Sequence, residues 1–243
     1  MLKAIINAGT LKELIEVIST LVDEARFKLS SEEMAVIAVD PANIAMVSFK
    51  ISSDAFESFE VDSDNEIGVD LTKLSDIVGM SGSGDISLEV GDGKLFIKFL
   101  DLTYSMSLLD PSSLKKEPKL PSLDLPAQIV LSGNEFRMAV RATAKVSDVV
   151  IMGIEDEVFF MEAKGDLDSA RMELPKDKLI ELKASDVKSL YPLDYLSDMS
   201  KPISKANNVC IEIGKDFPLK ISFSIADDKG KVQYLLAPRI EAD

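Results

Sequence analysis

Two stretches of this chain read alike when one is laid on the other at an offset of about 123 to 125 residues. The first opens Gly9-Thr10-Leu11-Lys12 and continues as an amphipathic helix. Its Leu11, Leu14, Ile15, Ile18, Leu21 and Val22 fall at the i, i+3, i+4, i+7 spacing of one buried face. The second opens Gly133-Asn134-Glu135-Phe136 and places Phe136, Ala139, Val140, Thr143 and Val146 in the same way. Thr10 and Asn134 stand where N-caps belong, because a short side-chain oxygen there can take an otherwise unpaired N–H. Alternating segments that read as hairpin strands follow each helix: 26–29 with 34–39, and 150–154 with 158–163. A second, shorter helix is expected over 70–78 and again over 192–199, each holding Leu-Ser-Asp. Strands at 86–92 and 209–215 come next, and strands at 95–99 and 219–223 close the hairpins.

This order predicts two copies of one α+β domain, each with two helices packed on antiparallel sheet. Between the copies lies Pro111 to Pro126, with four prolines in 16 residues, which excludes a helix or a central strand. The expected division is 1–110, a semi-extended linker over 111–126, and 127–243.

Composition removes several chemistries. The chain has no histidine, so a Ser-His-Asp or Cys-His nucleophile and any histidine-bound metal are excluded. The single cysteine, Cys210, excludes an internal disulfide and suggests a reducing compartment. No run of 18 apolar residues occurs and the first residues lack a signal-peptide pattern, so the expectation is a cytoplasmic protein. Gly79-Met80-Ser81-Gly82-Ser83-Gly84 lacks the lysine and hydroxyl residue of a phosphate-binding loop and reads as a turn. A carboxylate–metal enzyme would need a tight acidic cluster. The nearest case, Asp62-Ser63-Asp64, sits in a polar turn, so no catalytic, metal or cofactor site is assigned. The net charge of −15 argues against nucleic-acid binding unless the basic residues gather on one face.

Four short segments then narrow the reading. They are Leu21-Val22-Asp23-Glu24-Ala25, Ala38-Val39-Asp40-Pro41, Gly68-Val69-Asp70-Leu71, and the end Tyr234-Leu235-Leu236-Ala237-Pro238-Arg239-Ile240-Glu241. In this order, with the proline-rich linker between the halves, they resemble the proliferating cell nuclear antigen (PCNA) family, the DNA sliding clamps of archaea and eukaryotes. The resemblance covers essentially the whole chain. It implies a DNA-clamp fold and a head-to-tail homotrimeric ring, with helices lining the hole and sheets outside. It also implies a function without catalysis or cofactor: encircling duplex DNA regardless of sequence and conferring processivity on DNA polymerase. Clamp loader, flap nuclease and DNA ligase would be tethered as well, each through a short peptide with a glutamine, an aliphatic and two aromatic residues. The setting would be the archaeal cytosol, or a nucleus in a eukaryote. A subunit of a heterotrimeric or checkpoint-type clamp is the alternative.

Three sets of residues follow. Arg137, Arg141 and Lys145 recur every four positions, opposite the apolar stripe, and are expected to face DNA. Lys12, Lys73, Lys201 and Lys205 are weaker candidates, with a helix edge as the other reading for Lys73, while Glu13, Glu16, Asp76, Asp194 and Asp198 dilute the charge. The resemblance implies a partner-peptide pocket under the linker from Val39, Asn43, Ile44, Met46, Leu120, Pro121, Pro218, Leu235, Leu236, Ala237 and Pro238. It also implies subunit contacts through edge strands at 102–108 and 170–174, with Tyr104, Met106, Ala170 and Met172 as the interface residues.

Overall fold

A computed structural model of the protein describes residues 1–183 and 185–240. Glu241, the last residue of the C-terminal marker, lies outside them. The described residues form two compact units. One comprises Met1–Lys119 with Ser224–Val232, the other Leu120–Phe223 with the chain from Gln233 onward. The tip 224–232 thus packs with the first unit, although the sequence division put all of 127–243 in the second domain.

In the first unit the chain runs β1 (Leu2–Asn7), α1 (Ala8–Ser19), β2 (Glu24–Leu29), β3 (Glu33–Val39), β4 (Ala45–Ser52), β5 (Ser58–Val61), β6 (Asn65–Asp70), α2 (Leu71–Gly79), β7 (Asp85–Gly91), β8 (Lys94–Phe99) and β9 (Leu102–Ser107). One antiparallel sheet has the order β5-β1-β7-β8-β9, and a second set of strands runs β4-β3-β2-β6. Period-2 patterning builds them: Leu2, Ala4 and Ile6 of β1 and Leu95, Ile97 and Phe99 of β8 are buried, while the residues between them are not. The helices lie side by side on the buried faces.

Helix α1 starts one turn earlier than the sequence suggested. Asn7, not Thr10, is its cap, and its Oδ1 accepts the Gly9 N–H at 2.9 Å. Val17 is fully buried although it lies off the predicted stripe. Val22 lies beyond the helix and is half-buried. Gly68, inside one of the four sequence markers, has a packing reason. A Cβ there would sit 2.6 Å from the Leu109 carbonyl oxygen, where the chain leaving β9 is bonded to Gly68.

The second unit repeats the order: β10 (Ala127–Leu131), α3 (Gly133–Thr143), β11 (Val149–Glu155), β12 (Val158–Lys164), β13 (Ser169–Pro175), β14 (Glu181–Lys183), β15 (Val187–Pro192), α4 (Leu193–Ile203), β16 (Val209–Ile213), β17 (Leu219–Ile225) and β18 (Gly230–Leu236). The strand orders β14-β10-β16-β17-β18 and β13-β12-β11-β15 match those of the first unit, strand for strand. The duplication read from helix and strand spacing is therefore one of topology. It extends to an aromatic pair, since Phe99 and Tyr104 lie 6.0 Å apart and Phe223 and Tyr234 lie 5.8 Å apart.

Helix α3 is capped by Ser132 rather than Asn134. The Ser132 Oγ accepts the Glu135 N–H at 3.2 Å and donates to the Glu135 carboxylate at 2.7 Å. Helix α4 runs to Ile203, past the expected end at 199, with Pro202 in its last turn: one N–H is missing there, but the Ser204 N–H still donates to the Ser200 carbonyl at 3.1 Å. Helices α3 and α4 approach closely at Gly133. A Cβ there would lie 2.0 Å from the Ile203 carbonyl oxygen and 2.7 Å from that of Ala206. At Gly79, in the last turn of α2, an added Cβ meets nothing within 4 Å.

Two glycine-to-alanine variants test this geometry. Gly133→Ala should lose about 2–3 kcal/mol of stability, because backbone rather than a movable side chain blocks the methyl. Gly79→Ala should be neutral or gain up to about 1 kcal/mol from reduced chain entropy. Urea denaturation measures both, and equal midpoints would contradict the close α3–α4 approach.

Candidate nucleic-acid interface and partner surfaces

The outer faces of the helices carry the candidate nucleic-acid contacts. On α3, Phe136, Ala139, Val140 and Thr143 are buried, while Asn134, Met138, Arg141 and Ala142 are exposed. Arg141 and Lys145 are both exposed, but Lys145 lies in the turn after α3, its N–H bonded to the Ala142 carbonyl. Arg137 is half-buried and already engaged. Its Nη1 donates to the Lys201 carbonyl at 3.2 Å and to Ser204 Oγ at 3.1 Å, at the negative end of the α4 dipole. The three cations are therefore not equivalent.

The remaining candidates are partly tied as well. Lys12 Nζ donates to the Gly82 carbonyl at 2.9 Å, in the turn after α2. Lys73 pairs at 3.5 Å with Asp70, the N-cap of its helix, and Lys201 at 2.6 Å with Asp198, one turn earlier on α4. Lys205 is exposed just past α4. With Glu13, Glu16, Asp76 and Asp194 among them, the helix faces offer sparse positive charge, densest on α3.

Two sheet edges stand open in equivalent ways. Strand β9 ends one sheet, and Leu102, Thr103, Tyr104, Ser105, Met106 and Ser107 carry no charge to blunt it. Tyr104 and Met106 share the inward face, opposite Ile97 and Leu95. Met106 is 5% exposed and belongs to the core of its unit. Tyr104 is half-buried, and Leu102 beside it is 47% exposed. The turn before β9 holds Leu100 at φ 50°, a left-handed conformation unusual for a bulky residue, with its side chain 83% exposed.

Strand β13 ends the other sheet. Its inward Ala170 and Met172 are half-buried, opposite Ala163 and Met161. On the outward face Arg171 lies 4.3 Å over the Phe160 ring and bonds Glu173 at 2.7 Å and Glu162 at 3.1 Å. Burial works against the Glu162 charge, but the Lys164 ammonium and then Arg171 outweigh it and hold the carboxyl below its ordinary range.

The turn between β3 and β4 carries the first unit's share of the candidate partner surface. Asp40 is 3% exposed, and its carboxylate accepts the N–H groups of Ala42, Ile44 and Ala45 at 2.9, 2.7 and 2.7 Å. That network turns the chain outward at Asn43, with φ 59°, and leaves Ile44 37% exposed. Val39 and Met46 pair at the base of the turn and are half-buried. In the second unit Leu120 is 40% exposed, Pro121 is exposed, and Pro218, Ala237 and Pro238 are half-buried. Leu235 and Leu236, at 6% and 0%, are core residues.

Sequence reasoning missed how the linker is fastened. Arg26 donates to the Pro111 carbonyl, Lys115 reaches the Asp40 turn, and Lys28 pairs with Glu117. The one available signal was the charged run Lys115-Lys116-Glu117 inside a proline-rich segment.

Comparison with known proteins bears on both halves. The family model for the proliferating cell nuclear antigen N-terminal domain matches residues 1–100, and that for the C-terminal domain matches residues 119–239. The chain belongs to the proliferating cell nuclear antigen family. Among curated PCNA relatives, the DNA polymerase sliding clamp of Methanococcoides burtonii is 50% identical over the full length of both chains. Among solved structures, A. fulgidus PCNA bound to the C-terminal region of FEN-1 superposes with a TM-score of 0.95 at 37% identity, with both chains fully covered. Thermococcus kodakaraensis PCNA follows with a TM-score of 0.90 at 26% identity, over 98% of this chain and all of the other. The fold is the PCNA clamp fold.

The split among the α3 cations has a direct check. Arg137→Ala should cost this PCNA chain about 1 kcal/mol, since the ends of α4 lose a charged donor. Arg141→Ala should stay within about 0.5 kcal/mol, as a surface change with no partner among the described residues to lose. Thermal unfolding of the two variants decides it; equal stability would show that Arg137 holds nothing together.

Proposed function

We propose that this chain is a DNA polymerase sliding clamp without catalytic activity of its own. It acts in the cytosol as a homotrimeric ring around duplex DNA and tethers replication enzymes there. One observation supports the ring above others: β9 and β13 are the equivalents, in the two repeats, of β18 and β4. In the first unit the tip 224–232 packs with that unit, and the Ser52 N–H at the end of β4 donates to the Lys229 carbonyl at 3.1 Å. Tyr234 on β18 is fully buried, whereas Tyr104, its counterpart on β9, is left half-exposed. Pairing β9 of one copy with β13 of the next would cover Tyr104 and Leu102 and satisfy both edges. Such a contact is heterologous, so it must close into a ring or run on as a filament.

Three copies would carry a charge of about −45, which repels duplex DNA from most of the surface. Arg141 and Lys145 supply local attraction without reading bases, and weak, sequence-blind attraction suits sliding. Retention comes from topology, so tight phosphate contacts are unnecessary. The C-terminal region of FEN-1, bound to the A. fulgidus relative, supports peptide tethering of a flap nuclease here. The polymerase, clamp loader and ligase would use the same kind of motif.

Loading onto a nicked DNA circle with a clamp loader tests encirclement. Loaded protein should stay bound through a high-salt wash and fall off once the circle is cut. The double variant Arg141→Glu with Lys145→Glu should load several-fold less well, because it sets negative charge within about a Debye length, roughly 8 Å, of phosphates. Salt-resistant binding that survives linearisation would contradict topological retention.

A further inference from the structure

Lys115 belongs to the linker, yet its ammonium is spent on a distant turn. Nζ donates to the Asp40 carbonyl oxygen at 2.8 Å and to Asn43 Oδ1 at 2.7 Å. The same Asp40 carbonyl accepts the Asn43 N–H at 3.1 Å, while the Asp40 carboxylate holds the N–H groups of Ala42, Ile44 and Ala45. Lys115 thus closes the turn from outside and Asp40 closes it from inside. Asn43 sits between them at φ 59°, in the left-handed region that asparagine tolerates better than most residues, and both closures hold the turn in that form. On either side of Lys115 the strand of linker is pinned by Arg26 at Pro111 and by Lys28 at Glu117. The ammonium is therefore presented by a segment that is itself fixed, rather than by a loose tail.

We infer that Lys115 is a positioning residue for the partner-peptide surface of the first unit, fixing the turn that presents Asn43 and Ile44. This rests on the reading of those two residues as peptide contacts. The bonds go to neutral oxygens, so Lys115 orients them as a charged donor and not as a surface ion pair. A peptide that meets a pre-formed turn pays nothing to order it. If loss of Lys115 left the competent turn populated about one-tenth of the time, the apparent Kd would rise about tenfold.

The test uses the whole chain and a synthetic peptide bearing a glutamine, an aliphatic and two aromatic residues. Calorimetry compares wild type, Lys115→Met, Lys115→Arg, Asn43→Gly and the Lys115→Met, Asn43→Gly double variant. Asn43→Gly keeps the backbone conformation while removing one acceptor. Lys115→Met should weaken binding about tenfold, and Lys115→Arg, which keeps a charged donor, should recover most of it. The effect of Asn43→Gly should shrink once Lys115 is gone, because coupled groups are not additive. Without peptide, amide exchange at Ala42, Ile44 and Ala45 should quicken in Lys115→Met at an unchanged thermal midpoint, a readout that general destabilisation would not give. Equal peptide binding by wild type and Lys115→Met overturns the inference, as does strict additivity with Asn43→Gly. A wild type that binds no peptide is a different result, which sinks the partner-surface reading itself.

Discussion

A sheet edge is a row of backbone N–H and C=O groups with nothing to bond, and each chain must cover, blunt or share it. This protein has two copies of one sheet pattern, and each copy brings edges at the same strand positions. Within the first unit the tip 224–232 meets β4, where the Ser52 N–H donates to the Lys229 carbonyl at 3.1 Å. Strands β9 and β13 stay at sheet edges among the described residues of the chain. Nothing on β9 is charged, and its apolar Leu102 and Tyr104 stay partly exposed. The sequence leaves this edge as it would an edge meant to be paired.

The helices answer a second constraint. Their inner faces pack on sheet and on each other, so closely at Gly133 that no side chain fits. Their outer faces can then serve only what lies beyond the chain. In so acidic a protein, the exposed Arg141 and Lys145 stand out by contrast more than by number. Arg137 shows how little a charge pattern says alone, since a cation on the expected spacing turned out to hold the end of α4.

Much of the fold was legible because its signals are local. Period-2 and period-3.6 patterning located both helices and the flanking strands of each repeat, and four prolines marked the linker. The helix starts were misplaced because Asn7 and Ser132 are caps only in the company of the strands that deliver them, and nothing in Thr10 or Asn134 announces that they are not. Met106 and Leu236 look like surface candidates in a motif, but strand alternation turns them inward. The linker clamps were invisible for the opposite reason. Lys115 and Asp40 lie 75 positions apart, and only the fold brings them together. The same holds for the edges: periodicity finds a strand, but its place in the sheet order decides whether it is an edge.

Sedimentation equilibrium of the chain purified alone tests the central claim most directly, because it asks whether identical copies satisfy each other's open edges. A homotrimer should appear at about three times 26.5 kDa and hold that mass over a wide range of protein concentration. A mass of 26.5 kDa at all concentrations would contradict pairing between copies of this chain. A mass that climbs without limit would contradict closure of the ring.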